Sequence, residues 1–169
     1  MLVILIQQSI ELSLKSRCSK PQRPPSELVA EPALKMSSKL INPSTVHDAW
    51  PTYSHVQSTR ISPTVTLITL AGEVGVDKDG QFGKSFQEQV SVALENVRRC
   101  LASVSATPAD IINMTHYVVG LDPNDTTLSE ELLQFFAGHR PPGTLVGIST
   151  LANPNLLYEV QAQAIIHHS

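Results

Sequence analysis

The stretch Leu156–Ile166 constrains the fold of this chain more than any other. Leu156, Tyr158, Val160, Ala162, Ala164 and Ile166 alternate with Leu157, Glu159, Gln161, Gln163 and Ile165. Successive side chains of a strand leave opposite faces, so a period of two over eleven residues predicts a strand with one apolar face. The other face is polar, with a carboxylate in its middle. Such a strand needs something apolar laid across one side, and the sequence upstream supplies it. Ser85–Ser103 predicts a helix whose stripe is Phe86, Val90, Ala93, Leu94, Val97 and Leu101, with Glu88, Glu95 and Arg99 opposite. Ser85 and Glu88 have the spacing of a capping box.

The remaining elements follow from the same periodicities. Tyr53–Ser58 and, after Pro63, Thr64–Ala71 read as strands, and Asp77-Lys78-Asp79-Gly80 as a turn. In Ile112–Gly120, Ile112, Met114, His116 and Val118 alternate with Asn113, Thr115, Tyr117 and Val119, which predicts a strand covered on both sides. A second helix is expected behind a Thr127/Glu130 capping box, with Leu128, Leu132, Phe135 and Phe136 buried and Gly138 as its stop. Thr144–Leu151 is the penultimate strand, joined to the last by Ala152-Asn153-Pro154-Asn155. Strand, strand, helix, strand, helix, strand, strand predicts an α+β domain, a mixed sheet with both helices on one face. The second face of that sheet is only moderately polar, so several copies are expected to bury it against each other.

Composition narrows the function. Apolar residues are 41% and charged ones 16% of 169 residues, enough for a real core. Net charge is −3 and unevenly spread. Residues 1–40 hold Lys15, Arg17, Lys20, Arg23, Lys35 and Lys39 against Glu11, Glu27 and Glu31, leaving an acidic body. Nucleic-acid binding comes mainly from Lys and Arg neutralising phosphates, so nucleic acid is not an expected partner. No apolar run has the length of a membrane span, and a membrane is not expected either. Composition changes near residue 40, dividing the chain into 1–40 and a domain over 41–169. The first part reads as a disordered extension or, from its basic and serine-rich Ser13–Ser26, as a transit segment; Met36 is an alternative start. The corresponding locations are the cytoplasm or, with a transit segment, the mitochondrion. Cys18 and Cys100 are too few for a disulfide framework, and Cys100 is expected to be buried and inert.

The order of short motifs carries a resemblance. Arg140-Pro141-Pro142-Gly143-Thr144-Leu145-Val146-Gly147-Ile148 and then Leu156-Leu157-Tyr158-Glu159-Val160 are similar to the signature of the RidA/YjgF (reactive intermediate deaminase) family: Pro-x-Arg-Ser/Thr, a branched apolar strand, a turn, and Glu in the last strand. Pro51-Thr52-Tyr53-Ser54 resembles the family's Gly-Pro-Tyr-Ser entry, Leu67–Glu73 its strand ending in Ser-Gly-Gln, and Leu94-Glu95-Asn96-Val97 its Leu-x-Asn-hydrophobic pattern. The likeness runs from about Asn42 to Ile166. It implies a chorismate-mutase-like sheet and a homotrimer around a central barrel, with small-molecule clefts between subunits and no metal or organic cofactor. By resemblance Glu159 is the catalytic carboxylate, positioning water that hydrolyses an imine or enamine. Tyr53, Ala71, Gly72, Ser129, Arg140, Gly143, Thr144 and Leu145 fall at substrate-binding positions.

One departure stands out. Gly143 occupies the place of the arginine that grips a substrate carboxylate in deaminating members, a charge-assisted pair that glycine cannot form. Arg140 lies three residues away and is the one nearby candidate to replace it. The expected function is a cofactor-free enzyme acting on a small metabolite by imine or enamine hydrolysis, tautomerisation or hydration. Ordinary 2-aminoacrylate deamination is not expected, and a specialised substrate in a biosynthetic pathway is. The alternatives are a non-catalytic binding or sequestering protein and, third, a ribonuclease or translation inhibitor. His47, His55, His116, His139, His167 and His168 show no metal-motif spacing, and His116 reads as a core or interface histidine. Tyr53 either lines a pocket or packs beneath the helices. Asp77, Asp79 and Gly80 lack the later ligands of a calcium loop and read as a turn.

Overall fold

The computed structural model describes residues 36–168. The expectations for the extension over residues 1–35 therefore lie outside the described residues. Seven strands and two helices follow in the order β1 (Ser37–Ile41), β2 (Val56–Ser62), β3 (Val65–Leu70), β4 (Glu73–Val74), α1 (Phe86–Ala102), β5 (Ile111–Val119), α2 (Thr127–Phe136), β6 (Gly143–Ile148) and β7 (Tyr158–His167). A 3₁₀ turn, Pro108–Asp110, leads into β5. They form one sheet in the order β1-β2-β3-β7-β5-β6, with β4 added beside β7. Every pairing is antiparallel except β5 with β6, which is parallel and is bridged by α2. This is the α+β mixed sheet with two helices that the alternation predicted. Among the described residues no helix is long and apolar enough to cross a membrane.

The long final strand becomes the spine. Tyr158, Val160, Ala162 and Ala164 are each at most 1% exposed, as the period of two requires. Small Ala162 and Ala164 let α1 approach, and its Val90, Ala93, Leu94, Val97 and Leu101 are buried in the same core. At the helix start the Ser85 hydroxyl accepts from Glu88 N at 3.2 Å. The reciprocal half of the expected box is displaced, because the Glu88 carboxylate accepts from Lys84 N at 2.6 Å. On α2 the cap falls one residue early: Thr126 precedes the first turn, its hydroxyl donates to Glu130 at 2.7 Å, and Asp125 accepts from Thr127 N. The helix ends with Ala137 in the left-handed region ahead of Gly138.

Two register shifts correct the sequence reading. Between Ile111 and Asn113 the β5–β7 ladder slips, so Ile111 is buried and Ile112, expected inside, is 40% exposed. The second is between β3 and β4, which occupy successive parts of the same edge of β7. Thr69 pairs with Gln163 but Glu73 pairs with Val160, so one extra residue is accommodated around Ala71-Gly72. An unpaired residue of this kind re-aims the side chains beyond it. Leu70 points into the core, and the slip sends Glu73 there too, fully buried.

Boundaries moved as well. The strand expected from Tyr53 begins at Val56 and runs to Ser62, β3 stops at Leu70, and β6 ends at Ile148 rather than Leu151. β1 was not expected. It pairs with β2 from Ser37↔Arg60 to Ile41↔Val56, so the domain boundary drawn at residue 40 moves back to include Ser37.

Candidate functional site

The β3–β4 break builds the first half of the site. Glu159 lies opposite Val74 on β4 and Tyr117 on β5, on the face away from α1. Its carboxylate lies over Gly72: a Cβ there would sit 2.0 Å from Glu159 Oε1. Glycine is thus required for the carboxylate to take this place. The carboxylate is half-buried and has no hydrogen-bond partner among the described residues. Burial, and then the charge of Glu73, pushes its pKa above the usual carboxylate value.

Behind it, on the core side, lies a group that the sequence reading missed. His55 and Glu73 are both fully buried, with His55 Nδ1 and Glu73 Oε1 2.9 Å apart. His55 Nε2 lies 2.9 Å from the carbonyl oxygen of His47. A carbonyl only accepts, so Nε2 carries a proton, while Nδ1 shares its hydrogen bond with the Glu73 carboxyl. Burial alone would lower the His55 pKa, but the Glu73 hydrogen bond and charge and the His47 carbonyl raise it. The Cys100 thiol donates to the same Glu73 oxygen at 3.5 Å, and burial followed by the Glu73 charge holds it protonated. Tyr53, 36% exposed, stands edge-on to His55 with ring centroids 5.7 Å apart. It therefore caps this pair rather than packing beneath the helices. Burial, opposed by a Trp50 backbone hydrogen bond and aided by Glu73 and Glu159, raises its phenol pKa.

His47, His55 and Glu73 are also the residues that could hold a metal, since one ligand atom from each lies within 4.8 Å of the others. Sequence spacing could not disclose this, because the three come from two loops and the displaced β4. His55 already spends both nitrogens on hydrogen bonds, while His47 Nε2 and Glu73 Oε2 are buried without a partner.

The second half of the expected site is elsewhere. Gly143 is level with Met114, and Leu145 with His116, on the helix-side face of the sheet; Thr144 is level with Thr115 on the Glu159 face. Glu159 and Gly143 thus leave opposite faces of one copy, with β5 between their strands. A Cβ on Gly143 would be 3.9 Å from His116 Nε2. His116 Nδ1 lies 2.7 Å from Tyr158 Oη, with the rings stacked at 19°. Burial pushes the His116 pKa down to about 4, so the ring is neutral at ordinary pH. Leu145 is 50% exposed, and Ser129 and Arg140 are also exposed. Arg140 makes no hydrogen bond or ion pair among the described residues, so nothing holds its guanidinium in the place of the missing arginine. Ala71 is partly buried, its N–H donating to the His55 carbonyl at 2.9 Å, which ties the break to β2.

The mixed sheet with its two helices has counterparts among known proteins. A family model described as Endoribonuclease L-PSP matches residues 46–166. The chain belongs to that family, RidA/YjgF. "RutC family protein YjgH" of Escherichia coli strain K12 is 34% identical over 91 residues, 51% of this chain and 66% of that protein, so just under two thirds of the relative is spanned. Among solved structures, Escherichia coli TdcF with bound serine superposes with a TM-score of 0.63 at 25% identity, covering 78% of this chain and 99% of TdcF. Rv2704 of Mycobacterium tuberculosis, a member of the YjgF/YER057c/UK114 family, gives a TM-score of 0.57 at 26% identity over 77% of this chain and all of its own. The RidA/YjgF resemblance read from the motifs is thereby established over the described domain, with the fold it implied.

Proposed function

We propose that this RidA/YjgF-family chain is a cofactor-free enzyme that hydrolyses or tautomerises a small imine, enamine or carbonyl metabolite, with Glu159 as its acid/base. One observation carries the reading: a half-buried carboxylate, raised in pKa and without a hydrogen-bond partner among the described residues, seated over a glycine that leaves it room. A carboxylate in that state can take a proton from water near neutrality. In the hydrolysis, water adds to the C=N carbon as Glu159 accepts its proton. Glu159 then returns that proton to the nitrogen, giving a carbinolamine. In the second half it takes the carbinolamine hydroxyl proton as the C=O bond forms and passes it to the amine, so that the C–N bond breaks and ammonia leaves a carbonyl product. Because Gly143 and Glu159 face opposite sides of one sheet, a cleft containing both positions needs two copies, which supports a homotrimer. TdcF holds serine, a carboxylate ligand; here Gly143 offers no guanidinium to such a group, which favours a substrate without it.

The test is ammonia release from freshly generated 2-aminoacrylate. The native chain is expected to stay near background and Gly143→Arg to rise at least tenfold. Glu159→Gln in that background is expected to abolish the gain, and Gly72→Ala, whose Cβ displaces the carboxylate, to remove most of it while the protein stays folded. Activity that survives Glu159→Gln overturns the assignment, and so does a Gly143→Arg variant that gains nothing.

A further inference from the structure

The edge of the sheet around Gly143 holds a buried polar pair. His116 is 7% exposed and Tyr158 is fully buried, and each is the other's side-chain hydrogen-bond partner at 2.7 Å. Tyr158 Oη has no second partner among the described residues. If His116 Nδ1 donated, the buried hydroxyl proton would be orphaned, and unpaired buried donors are costly. The hydroxyl therefore donates to Nδ1, and the single proton of the neutral imidazole sits on Nε2. Burial of the ring, which disfavours its charged form, agrees with this.

That Nε2–H has no protein acceptor among the described residues, and Nε2 lies beside Gly143, 3.9 Å from where a Cβ would begin. Glycine leaves it uncovered. On the same face Leu145, half-exposed, supplies an apolar wall. The geometry points to His116 Nε2–H as a ligand-binding donor that takes a neutral carbonyl oxygen, of an amide, lactam or ketone, at the Gly143 position. A neutral donor offers one hydrogen bond and no countercharge, so a carboxylate brought to this largely buried group would lose its hydration without compensation. Tyr158 is a positioning residue, acting only through the tautomer it imposes. The inference rests on the proposed function only in locating the ligand site at Gly143; it does not require turnover or Glu159.

The test uses the full chain with ¹⁵N-labelled histidine. Long-range ¹H–¹⁵N spectra at pH 7 are expected to show His116 as the Nε2–H tautomer. Titration with butanamide is expected to move the His116 Nε2 signal, with butyrate at least tenfold weaker, and the response should persist in Glu159→Gln. His116→Phe should lose the preference for the amide. Tyr158→Phe, its fold checked by the amide spectrum, should populate both tautomers and weaken amide binding. An Nδ1–H or doubly protonated ring overturns the proposal. So does equal or tighter binding of butyrate, or no response to the amide. Because the Glu159→Gln arm is read by binding alone, loss of the acid/base reading would leave this result standing, and the reverse.

Discussion

His116 and His55 are both buried in one small domain, yet their surroundings move their pKa values in opposite directions. His55 gains the Glu73 carboxyl and the His47 carbonyl, and these raise its pKa against its own burial. His116 gains a hydroxyl that donates to it, and burial is left unopposed, lowering its pKa to about 4 from an ordinary value near 6.5. The consequences for stability have opposite signs. A base whose folded pKa is depressed costs nothing above its unfolded pKa, and destabilises as pH falls because the unfolded chain binds the proton first. His116 is therefore expected to subtract about 2–3 kcal/mol between pH 7 and pH 4.5, at roughly 1.4 kcal/mol per pH unit, with no further loss below its folded pKa. His55, raised, contributes stability below its unfolded pKa that is lost as pH rises through its folded one. Urea unfolding of the native chain and of His116→Phe at both pH values isolates the first effect. The variant should lose less stability on acidification, and parallel losses would show that His116 is not held neutral.

At the scale of elements, α1 is fixed to the β4 segment by contacts that admit no extra atom. The Gln89 amide donates to the carbonyls of Gly83 at 3.1 Å and Asn155 at 2.8 Å and accepts from Leu157 N at 2.8 Å. Asn96 donates to the carbonyls of Val74 and Val76. A Cβ on Gly75 would stand 2.4 Å from Gln89 Cβ and 2.6 Å from its Cα, so the helix backbone itself would have to move. Gly75→Ala is expected to cost about 2–3 kcal/mol in chemical denaturation, as overpacking does. Gly72→Ala, three residues away, meets only the end of a flexible glutamate and should cost under about 1 kcal/mol. Comparable losses for the two would refute this account of the docking. The same segment shows where the sequence stopped being legible. The stripe of α1 and the alternation of β7 are local periodicities, and both were readable. β1 has four exposed residues out of five and no apolar face to betray it. β4 is two residues long, and its inward Glu73 depends on a slip against β7 that no local pattern encodes. The place of Glu159 in the last strand was legible from its alternation. The His55–Glu73 pair was not, because alternation from Leu70 would have turned Glu73 outward.

At the scale of the whole described domain, the proposed function requires the sheet face away from α1 to meet other copies. The positions of β3, β5, β6 and β7 that point away from α1 include Leu67, Ile165, Val146, Tyr117, Thr144 and Gln161. Glu159 is the one Asp, Glu, Lys or Arg among them. A solvated strand face ordinarily carries several charges, so the composition of this face supports the proposed contact with another copy. The separation of Gly143 from Glu159 across the sheet asks for the same thing, since only a neighbour can complete a cleft from the two halves. Sedimentation equilibrium is expected to return three times the 18.4 kDa chain mass. Ile165→Lys places a cation in the middle of that face in every copy, and closed symmetry repeats the repulsion at each contact. It is expected to dissociate the assembly at low salt while leaving the far-UV dichroism of the fold, and to lose any turnover with the trimer. A native chain that sediments as a monomer would leave Glu159 facing open water and Gly143 on the far side of its own sheet, with no shared site for the two to form.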